Sequence, residues 1–304
     1  ITEEQAYKNS TLIYLNTVAS LYTQVGGSSG GAGLQGTDRG IYDLNTFTTD
    51  EAMLPTRGGD WYDGGLWQNL FHHAWGTKND LLKGSWDYLY KVIAQTNASL
   101  DKLNSILKED PNNKVIPPYI AEVRAFRAMY YYYLLDMFAR VPIVTSSKVE
   151  LKDVEQSERS AVFNFVKKEL EETVEQLSDA HSNLSGEYYG RMTKPVAYLL
   201  LAKIALNSEI YADDNWTDGT KIDGKTIKFT VDGEEKNAWE ATIAYCDKIT
   251  ALGYKLEPKF ASNFSTTNEN SVENIFTIPM DRNLYKNEFY YLIRSRHYSH
   301  AKAY

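Results

Sequence analysis

Apolar residues recur along most of this chain at a spacing that suits helices and little else. From residue 83 onward Trp86, Leu89, Tyr90, Ile93, Asn97, Leu100 and Leu103 trace one face of a long helix. The run PNNKVIPP ends it, and the spacing predicts the next helix over 119–139. A third follows over 157–177, with Phe163, Val166, Leu170, Val174 and Leu177 inward and the charges from Lys167 to Glu172 on a solvated face. Further helices are predicted over 194–211 and 238–252, and an opening one over 2–24, where Leu12, Leu15, Val18 and Leu21 keep helical spacing. Between 213 and 237 the pattern switches to alternation around Asp232-Gly233 in KTIKFTVDGEEK, which predicts a hairpin.

Helices in succession with loops between them suggest antiparallel pairs. Small residues (Ala197, Ala202, Ala205, then Ala238, Ala241, Ala244) stand where close-packed pairs need them. This resembles tetratricopeptide pairing with its fixed period degraded. The expected fold is therefore mainly α: an irregular, right-handed, tetratricopeptide-like stack of helix pairs with long aromatic loops and a little β. Four consecutive tyrosines, 130–133, fit it, because residues about 100° apart on a helix are all buried only where neighbours surround that helix.

Two stretches break the pattern. GGSSGGAGLQG, residues 26–36, reads as a flexible loop. RGGDWYDGGLWQN, residues 57–69, follows neither period, yet sets large rings among glycine pairs. Flat rings stack on the C–H faces of sugars while acids, amides and guanidinium groups meet the edge hydroxyls. Here Trp61, Tyr62 and Trp67 are candidate platforms, and Arg57, Asp60, Asp63 and Asn69 candidate edge partners. Arg39, Tyr42 and Asp43 lie just upstream on what reads as the same face. The alternative is that Trp61 and Trp67 cap the core while glycine permits the turns. For Trp67 that alternative is the stronger, since LWQNLFHHAW reads as a short helix with Leu66, Leu70 and Trp75.

Charge narrows the field. The formal net charge of −8 is spread along 304 residues, which argues against nucleic acid as a partner. Tyrosine is abundant, at 23 residues, and suits wet recognition surfaces as well as cores. The single cysteine, Cys246, excludes an internal disulfide and reads as a small buried residue. No apolar run approaches the roughly 20 residues of a membrane span. The chain begins at Ile1 without Met and shows no leader, so a processed or trimmed chain is expected.

No catalytic motif emerges. His72-His73 and His297-x-x-His300 are the clustered imidazoles, without the further ligands a zinc site needs. Asp60 and Asp63 invite a glycosidase reading, but Asp is itself a turn former. There is no nucleophile elbow and no phosphate loop. Neither metal nor cofactor is expected, and the protein is read as a binder rather than an enzyme.

The segment AEVRAFRAMYYYYLLDMFARVPIVTS, 121–146, resembles the signature region of the SusD/RagB-like family, surface nutrient-binding lipoproteins of Bacteroidetes. Glu122, Arg124, Arg127, Ala128, Tyr131, Leu134, Phe138, Val141 and Pro142 fill its E-x-R-x-x-R-A-x-x-Y-x-x-L helix and the turn after it, with Ala139-Arg140 in place of the usual Gly-Asp. GRMTKPVAYLLLAKIAL, 190–206, matches a second segment, and 263–279, ending in a strand-like 274–279, a third. The resemblance implies one SusD-like domain over 1–304 without the family's C-terminal portion or its lipid-bearing cysteine. It implies capture of oligosaccharide or polysaccharide at the outer-membrane surface and delivery to a SusC-like TonB-dependent porin. The rival reading is a peptide- or protein-binding tetratricopeptide-type scaffold.

Overall fold

In a computed structural model the described residues are 9–27, 33–34, 39–281 and 283. They form α1 (Ser10–Tyr14), α2 (Ser20–Tyr22), α3 (Ile41–Phe47), α4 (Leu66–Phe71), α5 (Asp80–Glu109), α6 (Ile116–Phe138), α7 (Arg159–Thr173), α8 (Lys194–Leu206), α9 (Ser208–Tyr211), strands β1 (Lys228–Val231) and β2 (Glu234–Asn237), and α10 (Ala238–Ala251). None of these helices is long and apolar enough to cross a membrane. The contacts group into two compact units, Ile1–Tyr22 with Val92–Thr277, and Thr23–Lys91 with Ile278–Tyr304; the division falls within α5.

The larger unit is built from helix pairs, α6 on α7 and α8 on α10. The second pair meets through Ala197, Ala202, Ala205, Ala238 and Ala241, all buried, so backbones approach closely where side chains are short. In α6 the tyrosine run is enclosed: Tyr130, Tyr131 and Tyr132 are buried, and Tyr133 only partly open. The Tyr131 hydroxyl donates to Val144 O at 3.0 Å and accepts from Val144 N at 2.7 Å, so a buried phenol satisfies both groups of one peptide residue. The hairpin forms as its sequence predicts. Lys228 pairs with Asn237 and Val231 with Glu234, and Asp232 and Gly233 take φ of 55° and 78°, the left-handed pair of a type I′ turn. Asn237 then caps α10, accepting from Glu240 N at 3.0 Å while the Glu240 carboxylate accepts from Asn237 N at 3.0 Å. Gly224 packs against the Trp239 ring so closely that a Cβ there would lie 2.5 Å from it.

Glu122 and Arg127 of the 121–146 segment turn out to be buried braces, and Arg124 a partly exposed one. Arg191 grips Glu122 with two bonds, Nε to Oε1 at 3.0 Å and Nη2 to Oε2 at 2.6 Å. The Tyr22 hydroxyl adds a third at 2.7 Å, and itself accepts from Met192 N. Arg127 joins Glu169 on α7, Asn97 on α5 and the Thr145 carbonyl; Arg124 joins Glu169 and Glu172. Burial works against the Arg191 charge, yet the Glu122 carboxylate outweighs it and holds the guanidinium above its usual value.

Several expectations need correction. Within 2–24 a π-helical turn, Leu15–Ala19, interrupts the α-helix, and residues 1–8 lie outside the described set. The helix predicted over 194–211 breaks at Asn207 into α8 and α9. Cys246 is exposed: Ala241, Tyr245 and Ile249 define the buried stripe of α10, and the residue after Tyr245 points about 100° away from it. The strand-like 274–279 pairs with no strand among the described residues.

Candidate functional site

The 57–69 stretch belongs to the smaller unit and is a tightly wound loop that runs into α4. It opens on a two-residue turn in which Arg57 and Asp60 exchange both backbone bonds, Arg57 N to Asp60 O at 3.1 Å and Asp60 N to Arg57 O at 3.0 Å. Gly58, at the first central position, has φ of 62°, as a turn of type II′ requires. Trp61 at φ 59° and Asp63 at φ 42° follow, both in the left-handed region that non-glycine residues seldom occupy. Such backbone persists only where its surroundings over-determine it.

Those surroundings centre on Trp67. The ring is 1% exposed, packed edge-on against Phe47 with centroids 5.3 Å apart and against Trp61 at 6.3 Å. Its indole N–H donates to Asp63 Oδ2 at 2.7 Å, and the same oxygen accepts from Arg39 Nη2 at 3.1 Å. The Arg39 backbone N–H donates to Asp43 Oδ2 at 2.7 Å. The result is a continuous brace: α3, through Asp43, holds Arg39; Arg39 and Trp67 hold Asp63; and Trp67 backs Trp61. Gln68 Nε2 adds a bond to the Thr56 hydroxyl, and the His73 ring one to Thr48 O at 2.6 Å.

The sequence-derived candidates therefore divide. Tyr62 stands out at 57% exposure, and Trp61 is partly exposed. Arg57 is exposed and Asp60 partly so, both on the same turn. Two candidates face inward. Trp67 is a core residue of this unit, not a platform, because its N–H finds a carboxylate and its faces find Phe47 and Trp61. Asp43 is fully buried in the first turn of α3, where the N-terminal dipole and the Arg39 amide favour a carboxylate. Asp63 serves the protein rather than a ligand edge, and Arg39 belongs to the same brace. The backbone between Asp63 and Trp67 is not helical, with Asp63, Gly64 and Gly65 all at positive φ, so the contact comes from the glycine-permitted turn and no helical spacing announced it. Phe47, which completes the aromatic packing, gave no sign beyond its place in α3.

Other apolar side chains in this unit are also open: Tyr42, Met53, Phe71 and Trp75. Added Cβ atoms at Gly58, Gly59 and Gly64 would meet nothing within 4 Å, so the loop's glycines border open space. Of the histidines, His72 and His73 lie near α4 without forming part of any metal-binding cluster among the described residues, and His297 and His300 lie outside that set.

A mainly α protein of paired helices with an aromatic loop on a braced support is the class these observations define. Within that class the chain belongs to the SusD-like family, described as starch-binding associating with outer membrane, whose model matches residues 34–206. It is 22% identical over 259 residues to the starch-binding protein SusD of Bacteroides thetaiotaomicron, covering 82% of this chain and 40% of that one. A SusD-like protein of Bacteroides ovatus matches at 22% over 298 residues, covering 90% and 50%. Among solved structures, a laminarin-binding SusD-like protein superposes with a TM-score of 0.59 at 24% identity, over 88% of this chain and 50% of that one. A SusD superfamily protein of Bacteroides vulgatus superposes with a TM-score of 0.65 at 20% identity, over 89% and 50%. The chain thus spans about half the length, or less, of the relatives it matches.

Proposed function

We propose that the protein captures an oligosaccharide or polysaccharide at the outer-membrane surface, without chemical turnover, and passes it to a SusC-like TonB-dependent transporter. One observation carries the binding part: Tyr62 is exposed and Trp61 partly exposed on a loop whose backbone is held by the part-buried Asp63–Trp67 contact. A ring fixed before the ligand arrives loses little rotamer freedom on binding, so a greater share of the stacking energy appears as affinity. Arg57 and Asp60 sit on the adjoining turn, within the same short loop, to meet hydroxyls at a sugar's edge. One relative is a starch-binding protein and another a laminarin-binding one; both polysaccharides are glucose polymers, and they are the first ligands to try. What supports delivery and surface location is family membership.

The test is a screen of the purified chain against neutral and acidic polysaccharides, with peptides in parallel. Binding to at least one glycan is expected. Binding to peptides alone would favour the scaffold reading.

A further inference from the structure

We propose that Trp216, in the larger unit, is a second saccharide platform, one that takes a neutral pyranose ring. The inference rests on the carbohydrate-binding reading but on none of the residues of the 57–69 loop. Trp216 is 56% exposed, on the connection between α9 and β1. The guanidinium groups of Arg159 and Arg140 approach its ring to 4.8 Å and 5.2 Å. Its indole N–H makes no hydrogen bond among the described residues.

The backbone on the near side of that ring is anchored at successive residues. Arg159 places Nε and Nη2 on Asp213 O at 2.8 and 2.6 Å. Arg140 places Nη2 on Asp214 O at 2.7 Å, and pairs through Nε with Glu158. The Asp214 carboxylate accepts from the Ser160 amide at 2.8 Å and its hydroxyl at 2.6 Å, at the start of α7. Beyond the ring, the Thr217 hydroxyl donates to Asn215 Oδ1 at 2.8 Å. An exposed indole against two arginines, on a segment anchored at Asp213 and Asp214 and with its own N–H unused, is arranged to receive something flat.

Chemistry selects the class. In both arginines Nη1 bonds to no protein atom among the described residues and is not buried, so donors remain at the ring's border. Asp213, Asn215 and Thr217 flank Trp216 in the chain; Asp213 Oδ1 accepts from Asn215 N and Asn215 Nδ2 donates to Asp218, and the carboxylates keep acceptor capacity beyond these bonds. Polar groups of both kinds around a single flat ring suit hydroxyls, whereas an apolar partner would leave them unpaired. Glu158, Asp213, Asp214 and Asp218 offset the two arginines, which disfavours phosphate or a uronate.

Oxidative footprinting of the whole chain, with and without soluble starch or laminarin, locates the contact. Trp216 is expected to be oxidised several-fold more slowly when either polysaccharide binds. Trp216→Ala is expected to weaken that binding about three- to tenfold, the range a stacked ring contributes, with the melting temperature unchanged and Trp216→Phe intermediate. Protection of Trp61 and Tyr62 with Trp216 oxidised at its free rate, and full affinity in Trp216→Ala, would overturn this site and leave the proposed function standing. No binding and no protection anywhere would overturn both.

Discussion

Asp63 Oδ2 accepts the indole N–H of Trp67 at 2.7 Å, and this bond fixes the loop that carries Trp61 and Tyr62. The same oxygen holds Arg39, so removing the carboxylate releases two donors at once. Asp63→Ala is expected to lower stability by about 1–3 kcal/mol, the cost of leaving a buried donor unmade. Asp63→Asn, which keeps an acceptor and tolerates the left-handed backbone, is expected to lose less. Denaturant midpoints for the two variants check the order.

Arg191 and Glu122 make the second internal pair whose loss should be felt. Arg191→Met leaves the Glu122 carboxylate buried with only the Tyr22 hydroxyl, and is expected to cost about 3–5 kcal/mol. Polysaccharide affinity of the surviving folded fraction should not change, since this pair belongs to the scaffold. Calorimetric unfolding and a binding isotherm on the same sample separate the two effects.

Ala139 ends α6 in a tight turn, with φ of 58° and ψ of −75° and a bond from Arg140 N to Phe138 O at 2.7 Å. That geometry is a γ-turn of the strained kind, in which a Cβ is unfavourable. Ala139→Gly is therefore expected to stabilise the protein by about 1 kcal/mol, even after the entropy glycine adds to the unfolded chain. A melting temperature that falls instead would mean the turn is less strained than its angles indicate.

Alkaline pH should unfold the helix stack cooperatively. Burial pushes the Tyr14, Tyr131 and Tyr254 hydroxyls up to about 12, against about 10 in an unfolded chain. A group raised in the folded state stabilises fully below its unfolded value, and that stability is lost as pH rises through the folded one. Stability should therefore decline between about pH 10 and pH 12. Tyrosinate absorbance should lag and then rise together with the loss of helical circular dichroism. A smooth titration near pH 10 with helices intact would contradict the burial of these rings.

Much of the scaffold was legible because its signals are periodic. Phe163, Val166, Leu170, Val174 and Leu177 are all buried, as their spacing predicts, and Asp232-Gly233 turns the hairpin where expected. What was not legible depends on partners distant in sequence. The π-turn at Leu15–Ala19 follows a run that reads as plain helix. Glu122, Arg124 and Arg127 were visible as a motif, but their ion pairs with Arg191, Glu169 and Glu172 exist only once the helices pack. In the candidate site, composition marked the right loop and could not say which rings face out. Trp67 and Tyr62 look equivalent in a glycine-rich stretch; the difference is that Trp67 lies in α4, past the left-handed turn at Asp63, Gly64 and Gly65 that brings its N–H to Asp63, while Tyr62 precedes that turn. Asp43 was read onto the same face as Tyr42 because both lie just upstream of the loop, yet adjacent helical residues point about 100° apart.

The central claim is that the exposed Tyr62 ring and the partly exposed Trp61 ring hold a glycan, and the most direct measurement is a calorimetric isotherm of wild type and the Trp61→Ala, Tyr62→Ala double variant. The ligand is whichever polysaccharide the screen selects, and melting temperatures are recorded in parallel. Two stacking contacts at about 1 kcal/mol each predict affinity lowered at least tenfold with melting unchanged. Equal affinity in the two proteins would contradict the account.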